Sequence, residues 1–396
     1  MLEGYSTIVL TLESGVQVLH VTPTFPPTWA YGGIPRIVHG LARSLVRQGV
    51  GCTVWTTDAC DAQRAEVPAK RTLDGIQVLT TPNVSNRLAY AHQLFLPRSA
   101  PLDQAGDIDL VHLHGHRHLL NNAAVSWAKS RGIPYVMTPN GTLPRLERKV
   151  AIKALWDLLV SGRIPGGAHT LIAVSAAEAG QFVQNGVPLD RIETIPNGLM
   201  LDEFSELPPK GAFREKWGIS GPIVAYLGQL SPRKGVEHLV QAFAGQGIPG
   251  ATLVVGGNDM GGMELARSHA GASVVFTGLL RGDERLALLQ DADVLVYPST
   301  AEVFGLVPFE GLMCGTPVVV GGDCGCGELV RKAGAGLLVN HGDVPGLRAR
   351  IQTLLGDSQA AQAMVARGRR YIEAELDFDR VAAKHAALYR RVLESR

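Results

Sequence analysis

Short apolar segments alternate with segments of helical period along almost the whole chain. In the first half, segments rich in Val and Ile predict strands at residues 16–22, 52–57, 76–80, 110–114, 135–138 and 170–175. Runs of this kind are typical of parallel strands that are covered on both faces. Helical patterns lie between several of them, for instance at 35–48 and 119–129. This alternation predicts a doubly wound α/β domain.

The same pattern restarts after a polar stretch at 201–221, whose composition, including Pro208-Pro209, indicates a linker. Further strands are predicted at 223–227, 251–255, 273–276, 294–297 and 317–320, with helices at 236–243, 284–290 and 306–314. An amphipathic helix is predicted at 377–393. We therefore expect two Rossmann-like domains, 1–200 and 201–376, with the helix of 377–396 packing back on the first. Because parallel sheets bind ligands at the carboxyl ends of their strands, the two domains are expected to face a central cleft.

Composition and charge narrow the class of protein. Of the 396 residues, 46% are hydrophobic and 18% are charged, which excludes a disordered or fibrous chain. The formal net charge of +1 gives no overall field that would recruit nucleic acid. Five scattered cysteines form no disulfide framework, and we find neither a secretory signal pattern nor an apolar stretch long enough to span a bilayer. These features predict a soluble, cytoplasmic protein.

The strongest chemical pattern follows the predicted strand at 294–297. A loop with Glu302 gives way to a helix at Leu306, so the amides of Phe304, Gly305 and Leu306 are expected at a helix N-terminus, where phosphate and sugar hydroxyls bind well. Glu310 lies one turn further along, and its carboxylate can hold a vicinal diol such as a ribose. The alternative makes Glu302 a solvated loop residue and Glu310 a carboxylate favoured by the helix dipole.

The segment PSTAEVFGLVPFEGLMCGTPVVV, which ends at Val320, resembles the E-x7-E region of glycosyltransferase family 4, whose members have the GT-B fold. Further motifs follow in the family's order: Tyr31-Gly-Gly33, Asp109-Leu-Val-His-Leu-His114, Ile195-Pro-Asn-Gly198, Leu227-Gly228 and Arg233-Lys234-Gly235. The resemblance covers about residues 16 to 390. It implies a retaining, hexosyltransferase-type enzyme that moves a sugar from a nucleotide sugar to a hydroxyl of a glycan, a lipid-linked saccharide or a small molecule.

Arg233 and Lys234 follow a predicted strand and open a helix, and two cations at such a position favour a diphosphate. Taken alone, this pair would be an ordinary solvated surface pair. The resemblance implies that both side chains bind the donor's diphosphate and stabilise charge on the leaving nucleotide. It also implies a catalytic or donor-binding role for Glu302 and donor contacts from Phe304 to Leu306 and Glu310. We expect no metal and no other cofactor, because the two cations neutralise the phosphates.

Gly32 and Gly33 follow the first strand, where the backbone approaches a ligand or adopts a positive φ. The strand is not followed by G-x-G-x-x-G, which argues against a nicotinamide-dependent dehydrogenase. The resemblance places both glycines near the donor phosphates and acceptor and makes His114 the histidine that faces the reacting sugar. The pair His112 and His114 also resembles metal ligands at a strand end, although no convincing set of further ligands is evident in the sequence.

Other segments leave alternatives open. Asn140-Gly-Thr142 occupies a strand-end loop with access to either substrate, and Glu328 matches a G-x-E element or starts a helix. Residues 143–164 hold five basic and two acidic side chains beside several leucines. This composition suits a helix lying on the inner face of a membrane, or a helix whose apolar stripe packs in the core. A nucleotide-sugar epimerase and a non-catalytic nucleotide-sugar-binding subunit are the rival functions.

Overall fold

The computed structural model describes residues 15–28, 32–60, 63–64, 66–144, 154–244 and 248–395. The chain forms two compact units. The first comprises Met1–Ile172, Val187–Glu193 and Phe378–Arg396, and the second comprises Ala173–Gly186 and Thr194–Asp377. Residues 173–186 and 194–200 thus belong to the second unit, whereas the sequence placed all of 1–200 in the first.

The larger sheet has eight strands in the order β10-β9-β8-β7-β1-β2-β6-β5. Its strands are β1 (Gln17–Val21), β2 (Gly51–Thr57), β5 (Lys70–Leu73), β6 (Ile76–Thr81), β7 (Leu110–His114), β8 (Tyr135–Thr138), β9 (Thr170–Ala173) and β10 (Ile192–Thr194), while the short β3 (Ala59–Cys60) and β4 (Gln63–Arg64) form a separate pair. The central pairs of β1 with β2, β1 with β7 and β7 with β8 are parallel. Every residue of β7 is buried, including His112 and His114, as expected of a parallel strand that is covered on both faces.

The second sheet has six parallel strands in the order β13-β12-β11-β14-β15-β16. Its strands are β11 (Ile223–Leu227), β12 (Thr252–Gly256), β13 (Val274–Gly278), β14 (Val294–Tyr297), β15 (Val318–Gly321) and β16 (Gly336–Val339). The predicted strands 223–227 and 294–297 match the structure in both bounds. All five residues of β11 are buried in the centre of this sheet.

Helices connect the strands in both units. They are α1 (Ile34–Arg47), α2 (Asn86–His92), α3 (Leu119–Ser130), α4 (Arg163–Gly167), α5 (Ala176–Gln184), α6 (Ala212–Trp217), α7 (Val236–Phe243), α8 (Met263–Ser268), α9 (Gly282–Asp291), α10 (Leu306–Cys314), α11 (Gly325–Ala333), α12 (Val344–Gly356), α13 (Ser358–Tyr371) and α14 (Phe378–Glu394). Among the described residues, no helix combines the length and apolar character needed to cross a membrane.

The last helix, α14, lies against α1 within the first unit. A Cβ atom on Gly40 would come within 2.2 Å of the Phe378 ring, so glycine is what allows this close approach. Arg47 also pairs with Asp379 at 2.6 Å. The amphipathic pattern that predicted this helix places Val381, Leu388 and Val392 in its buried face.

Candidate active site

The centre of the second sheet is a topological switch point, because β11 and β14 are neighbours there and the strand order reverses between them. Ligands of open α/β sheets bind in the crevice outside the carboxyl ends of such strands. Lys234 lies in the turn after β11, and Glu302 lies in the loop after β14. The fold therefore brings together two side chains that are 68 positions apart in the sequence.

Lys234, Tyr297 and Glu302 form a connected polar cluster at this point. The ammonium Nζ of Lys234 donates to the Tyr297 hydroxyl at 2.7 Å and forms a close ion pair with Glu302 Oε2. The Tyr297 hydroxyl in turn donates to Glu302 Oε2 at 3.1 Å. The side chains of Lys234 and Glu302 are only 8% and 16% exposed. The positive charge of Lys234 is thus held in place by Tyr297 and Glu302.

The charges of this cluster follow from its surroundings. Burial by itself raises the pKa of Glu302, but Lys234, Arg233 and the Tyr297 hydroxyl outweigh it and hold that pKa below its usual value. Burial, reinforced by the Glu302 carboxylate, raises the pKa of Tyr297 well above its usual value. At neutral pH Glu302 is therefore ionised and Tyr297 keeps its proton.

The N-terminus of α10 lies against the same cluster. Its N-cap residue, Gly305, has φ 72° and has no side chain to accept from the first amides of the helix. A Cβ atom at Gly305 would lie 3.3 Å from Glu302 Cγ, Tyr297 Cε1 and Cys326 Cβ. The partial positive charge of the helix N-terminus thus adds to that of Lys234. The predicted donor residues Lys234, Glu302 and Gly305 lie together.

Arg233 is placed by hydrogen bonds to its main chain. Its carbonyl oxygen accepts from the amide of Thr300 at 2.8 Å and from the Ser299 hydroxyl at 3.4 Å. These bonds join the turn after β11 to the loop after β14. The positive charge of Arg233 helps to hold the pKa of Glu302 below its usual value.

Glu310 is 2% exposed and forms an ion pair with Arg285, with 2.5 Å between Oε2 and Nη1. Arg285 comes from α9 and also contacts Glu203 at 3.1 Å. The sequence prediction for Glu310 named neither partner, because Arg285 and Glu203 are distant in the chain. Tyr297 was likewise recognised only as the end of a strand.

The first unit has its own cluster at the ends of β1 and β7, formed by His20, His112 and His114. His20 Nδ1 and His114 Nε2 share a hydrogen bond of 3.0 Å. His112 contacts the Tyr389 hydroxyl and Thr138 Oγ1, both at 2.7 Å, which confirms the prediction that it packs inside the sheet. His20, which pairs with His112 in the β1–β7 register, was missed because a single histidine in an apolar strand carries no signal of its own.

Burial keeps these histidines neutral. It lowers the pKa of His20 to about 3, with a smaller contribution from His385. It also lowers the pKa values of His112 and His114 well below their usual value, and neighbouring histidines add to the effect. His114 can therefore offer a neutral imidazole, with one proton and one lone pair, at neutral pH.

The glycine pair after β1 has two different conformations. Gly32 has φ 97°, the left-handed region that favours glycine. Gly33 has φ −78° and is the N-cap of α1, so its backbone needs no glycine for conformational reasons. Tyr31 of the same motif lies outside the described residues. In the loop after β8, Asn140 also has a positive φ of 51°.

Glu328 has a structural role. Its two carboxylate oxygens accept from the amides of Ala176 at 3.3 Å and Ala177 at 3.0 Å. These amides open helix α5, so Glu328 satisfies donors that the first turn of a helix leaves unpaired. Glu328 also lies in the first turn of its own helix, α11, so it has the structural role at a helix start that was one of the two alternatives.

Two family models match consecutive parts of the chain. The model described as Glycosyltransferase Family 4 matches residues 31–203, and the model described as Glycosyl transferases group 1 matches residues 210–371. The 2-deoxystreptamine glucosyltransferase of Streptomyces kanamyceticus is 31% identical over 311 residues, which are 72% of this chain and 78% of that protein. The chain belongs to glycosyltransferase family 4. Glycogen synthase of Mycobacterium tuberculosis is 27% identical and covers 94% of each chain.

Solved structures confirm the GT-B fold. The sucrose-phosphate synthase of Thermosynechococcus elongatus superposes with a TM-score of 0.76 at 22% identity, over 96% of this chain and all of that chain. The Anabaena protein HepE, solved with UDP and glucose, gives a TM-score of 0.71 at 19% identity over 96% of this chain and all of that one. Its membership of family 4 makes the chain a glycosyltransferase, and the retention that the resemblance implied is consistent with that family.

Proposed function

We propose that the second unit binds the nucleotide-sugar donor and that Lys234, Arg233 and the N-terminus of α10 hold its diphosphate. The observation that carries this proposal is the convergence of Lys234, Glu302 and Gly305 at the switch point of the second sheet. Buried positive charge and helix amides at a strand end favour a diphosphate. A structure of HepE with UDP-glucose at the same fold is consistent with this class of donor.

The chemical role of Lys234 follows from where charge develops. When the bond between the anomeric carbon and the diphosphate breaks, its electron pair stays on the phosphate oxygen. A fixed ammonium stabilises that oxygen more in the transition state than in the bound donor. Because Lys234 is already fixed by Tyr297 and Glu302, little reorganisation is needed. We therefore assign no phosphate-binding metal to this reaction.

Glu302 and Glu310 are assigned to the donor as well. Glu302 orients Lys234 and is ionised, so it can also accept from sugar hydroxyls. Glu310 is assigned to the ribose of the donor, and its pair with Arg285 fixes one carboxylate oxygen in place. Phe304 and Leu306 contribute main-chain amides.

The first unit is assigned to the acceptor, a saccharide or a lipid-linked saccharide. Gly32 and Gly33 lie in the loop after β1, and His114 lies at the end of β7. We assign to the neutral His114 a hydrogen bond with the transferred sugar. Its hydrogen bond with His20 fixes the orientation of the ring.

A thermal-shift screen of UDP-, GDP- and ADP-sugars tests the donor assignment. We expect one nucleotide class to raise the melting temperature, because a ligand bound only by the folded state stabilises it. The screen is repeated with Lys234→Ala and with Lys210→Ala, an exposed lysine outside the cluster. A shift of equal size in Lys234→Ala, or no shift with any nucleotide sugar, contradicts the assignment.

We also propose that the first unit contacts the cytoplasmic face of a membrane through 143–164. Leu155, Leu158 and Leu159 are 57%, 80% and 71% exposed, so these leucines are not packed in the core. Exposed leucines beside a basic segment suit an anionic lipid surface. Arg145, Arg148, Lys149 and Lys153 of that segment lie outside the described residues.

The cytoplasmic location is supported by the five cysteines, all of which are free.

Flotation with anionic vesicles tests this contact. The double substitution Leu158→Ser and Leu159→Ser is expected to reduce the floating fraction severalfold, because the apolar surface that enters the lipid is lost. Leu189→Ser is the matched control, since Leu189 is a single leucine that is 74% exposed elsewhere in the same unit. Absence of flotation for the unchanged chain, or equal flotation of the double variant, refutes the membrane proposal.

A further inference from the structure

A second group of ligand-type side chains lies next to the Arg233–Lys234 turn. Glu237 and His238 are in the first turn of α7, and His341 follows β16. One ligand atom from each lies within 4.8 Å of the others. We propose that Glu237, His238 and His341 form a binding site for a divalent transition-metal ion such as Zn²⁺, which joins the start of α7 to the loop after β16.

The spacing of Glu237 and His238 suits coordination better than a direct hydrogen bond. His238 Nε2 lies 3.4 Å from Glu237 Oε1. A good N–H···O hydrogen bond is about 2.9 Å long, and one at this distance is weak. Two ligands of a tetrahedral Zn²⁺, each about 2.1 Å from the ion, lie roughly 3.4 Å apart. The spacing of these two ligand atoms is therefore the one that a shared ion requires, and the ligand atom of His341 lies within 4.8 Å of both.

His341 is oriented by a main-chain oxygen. Its Nδ1 lies 3.2 Å from the carbonyl oxygen of Pro298, so the proton belongs on Nδ1 and Nε2 carries the lone pair. Metal-binding histidines usually donate their other N–H to a carbonyl or carboxylate in this way. Gly235 makes room for the arrangement, because a Cβ atom there would lie 3.3 Å from His341 Cε1 and 2.7 Å from the Pro298 oxygen.

The ligand types and their exposure indicate which ion fits. Two imidazoles and one carboxylate favour Zn²⁺, Co²⁺ or Ni²⁺ over Mg²⁺ and Ca²⁺, which prefer oxygen ligands. The side chains of Glu237 and His238 are 9% and 25% exposed, so water can supply a fourth ligand.

The cluster of His20, His112 and His114 also brings three ligand atoms within 4.8 Å. It is a weaker candidate, because both nitrogens of His112 already have hydrogen-bond partners at 2.7 Å. The site at Glu237 is independent of the proposed donor chemistry, so either can fail without the other.

Titration of the tag-free chain with Co²⁺ tests the site. Binding is measured by calorimetry and by the visible absorbance of the bound ion. We expect one ion per chain with a four-coordinate spectrum. His238→Gln and His341→Gln should each weaken Co²⁺ binding at least about tenfold, as expected when a metal site loses an essential group. Glu237→Gln, which keeps the size of the side chain, should also weaken it.

His269→Gln is the matched control, since His269 is exposed and contacts Gln241 instead. Circular dichroism of each variant verifies that it is folded. The proposal is overturned if the unchanged chain binds no Co²⁺ or Zn²⁺ at about 1 mM, a concentration that still detects weak sites. It is equally overturned if both histidine variants bind as the unchanged chain does.

Discussion

Lys234 is the residue on which the proposed chemistry depends most. Its ammonium is nearly buried, is balanced by the carboxylate of Glu302 and lies at the carboxyl end of a strand. In the proposed donor site, an incoming diphosphate would share this ammonium with Glu302. The neighbouring Arg233 leaves a net positive charge in the turn.

We predict that Lys234→Ala lowers kcat roughly 10²- to 10³-fold, because the charge that stabilises the departing phosphate is removed. Steady-state kinetics with the preferred donor measures the effect. Lys234→Ala also leaves the buried carboxylate of Glu302 without its ion pair, and this could lower kcat by itself. The double variant Lys234→Ala, Glu302→Gln removes that carboxylate charge, so a kcat that stays low in it is due to the lost ammonium. Turnover of Lys234→Ala equal to that of Lys210→Ala would reject the role.

The ion pair of Glu310 and Arg285 leads to a second prediction at the residue scale, which concerns the stability of the fold. Removal of one partner leaves a buried charge uncompensated, which costs about 3–5 kcal/mol. Arg285→Met should therefore lower the free energy of unfolding by about that amount, measured by urea denaturation. Arg281→Met, on the same segment and more exposed, is the control. A loss below about 1 kcal/mol in Arg285→Met would show that the ion pair is not structural.

At the residue scale, the sequence predicted the charged members of the site but not their partners. Glu302 and Lys234 stand in recognisable motifs. Tyr297, Arg285 and His20 have no motif, and their importance comes from contacts with residues far away in the chain. Such contacts depend on strand order, which hydrophobic pattern alone does not determine.

Among the elements, helix α5 depends on an unusual cap. The side chain of its N-cap residue, Ser175, accepts from the amide of Glu178. The carboxylate of Glu328 accepts from the amides of Ala176 and Ala177, the first two residues of the helix. We predict that Glu328→Ala lowers the free energy of unfolding by about 1 kcal/mol, the usual cost of a lost cap. Glu264→Ala, an exposed glutamate in the first turn of α8, should change it little. Equal melting of both variants would contradict this role.

The elements themselves were largely predictable where strands are buried. β7, β8, β11 and β14 have the predicted bounds, because strands inside a sheet are mostly apolar and contrast with the polar residues around them. β5 was missed, since it is an antiparallel edge strand in which the exposed Lys70 and Thr72 alternate with half-buried positions and no apolar run forms. β16 was missed as well, because it is four residues long and begins with glycine.

For the whole molecule, the buried histidines predict acid sensitivity. Burial lowers the pKa values of His118 and His385 to about 4 and that of His20 to about 3, and it lowers those of His112 and His114 well below the usual value. Below pH 6.5 the unfolded chain therefore binds more protons than the folded one, so stability falls as pH falls. Each histidine contributes up to about 1.4 kcal/mol per pH unit in this range.

Melting temperatures between pH 7.5 and pH 4.5 measure this effect. We expect little change above pH 7 and a steep decrease below about pH 6.5, where unfolded histidines become charged. His118→Asn should make the decrease shallower, because one of the buried titrating groups is gone, whereas His269→Gln should not. A melting temperature that stays constant down to pH 5 would contradict the burial of these groups.

The central claim is that the second unit holds a diphosphate with Arg233, Lys234 and the amides at the start of α10. Calorimetric titration with UDP, GDP and ADP tests it most directly. The account predicts that at least one of them binds with a Kd of about 1 mM or lower, and that Arg233→Ala and Lys234→Ala each weaken it at least about tenfold while Lys210→Ala does not. Binding of none of the three nucleotides, or equal binding by all the variants, would contradict the account.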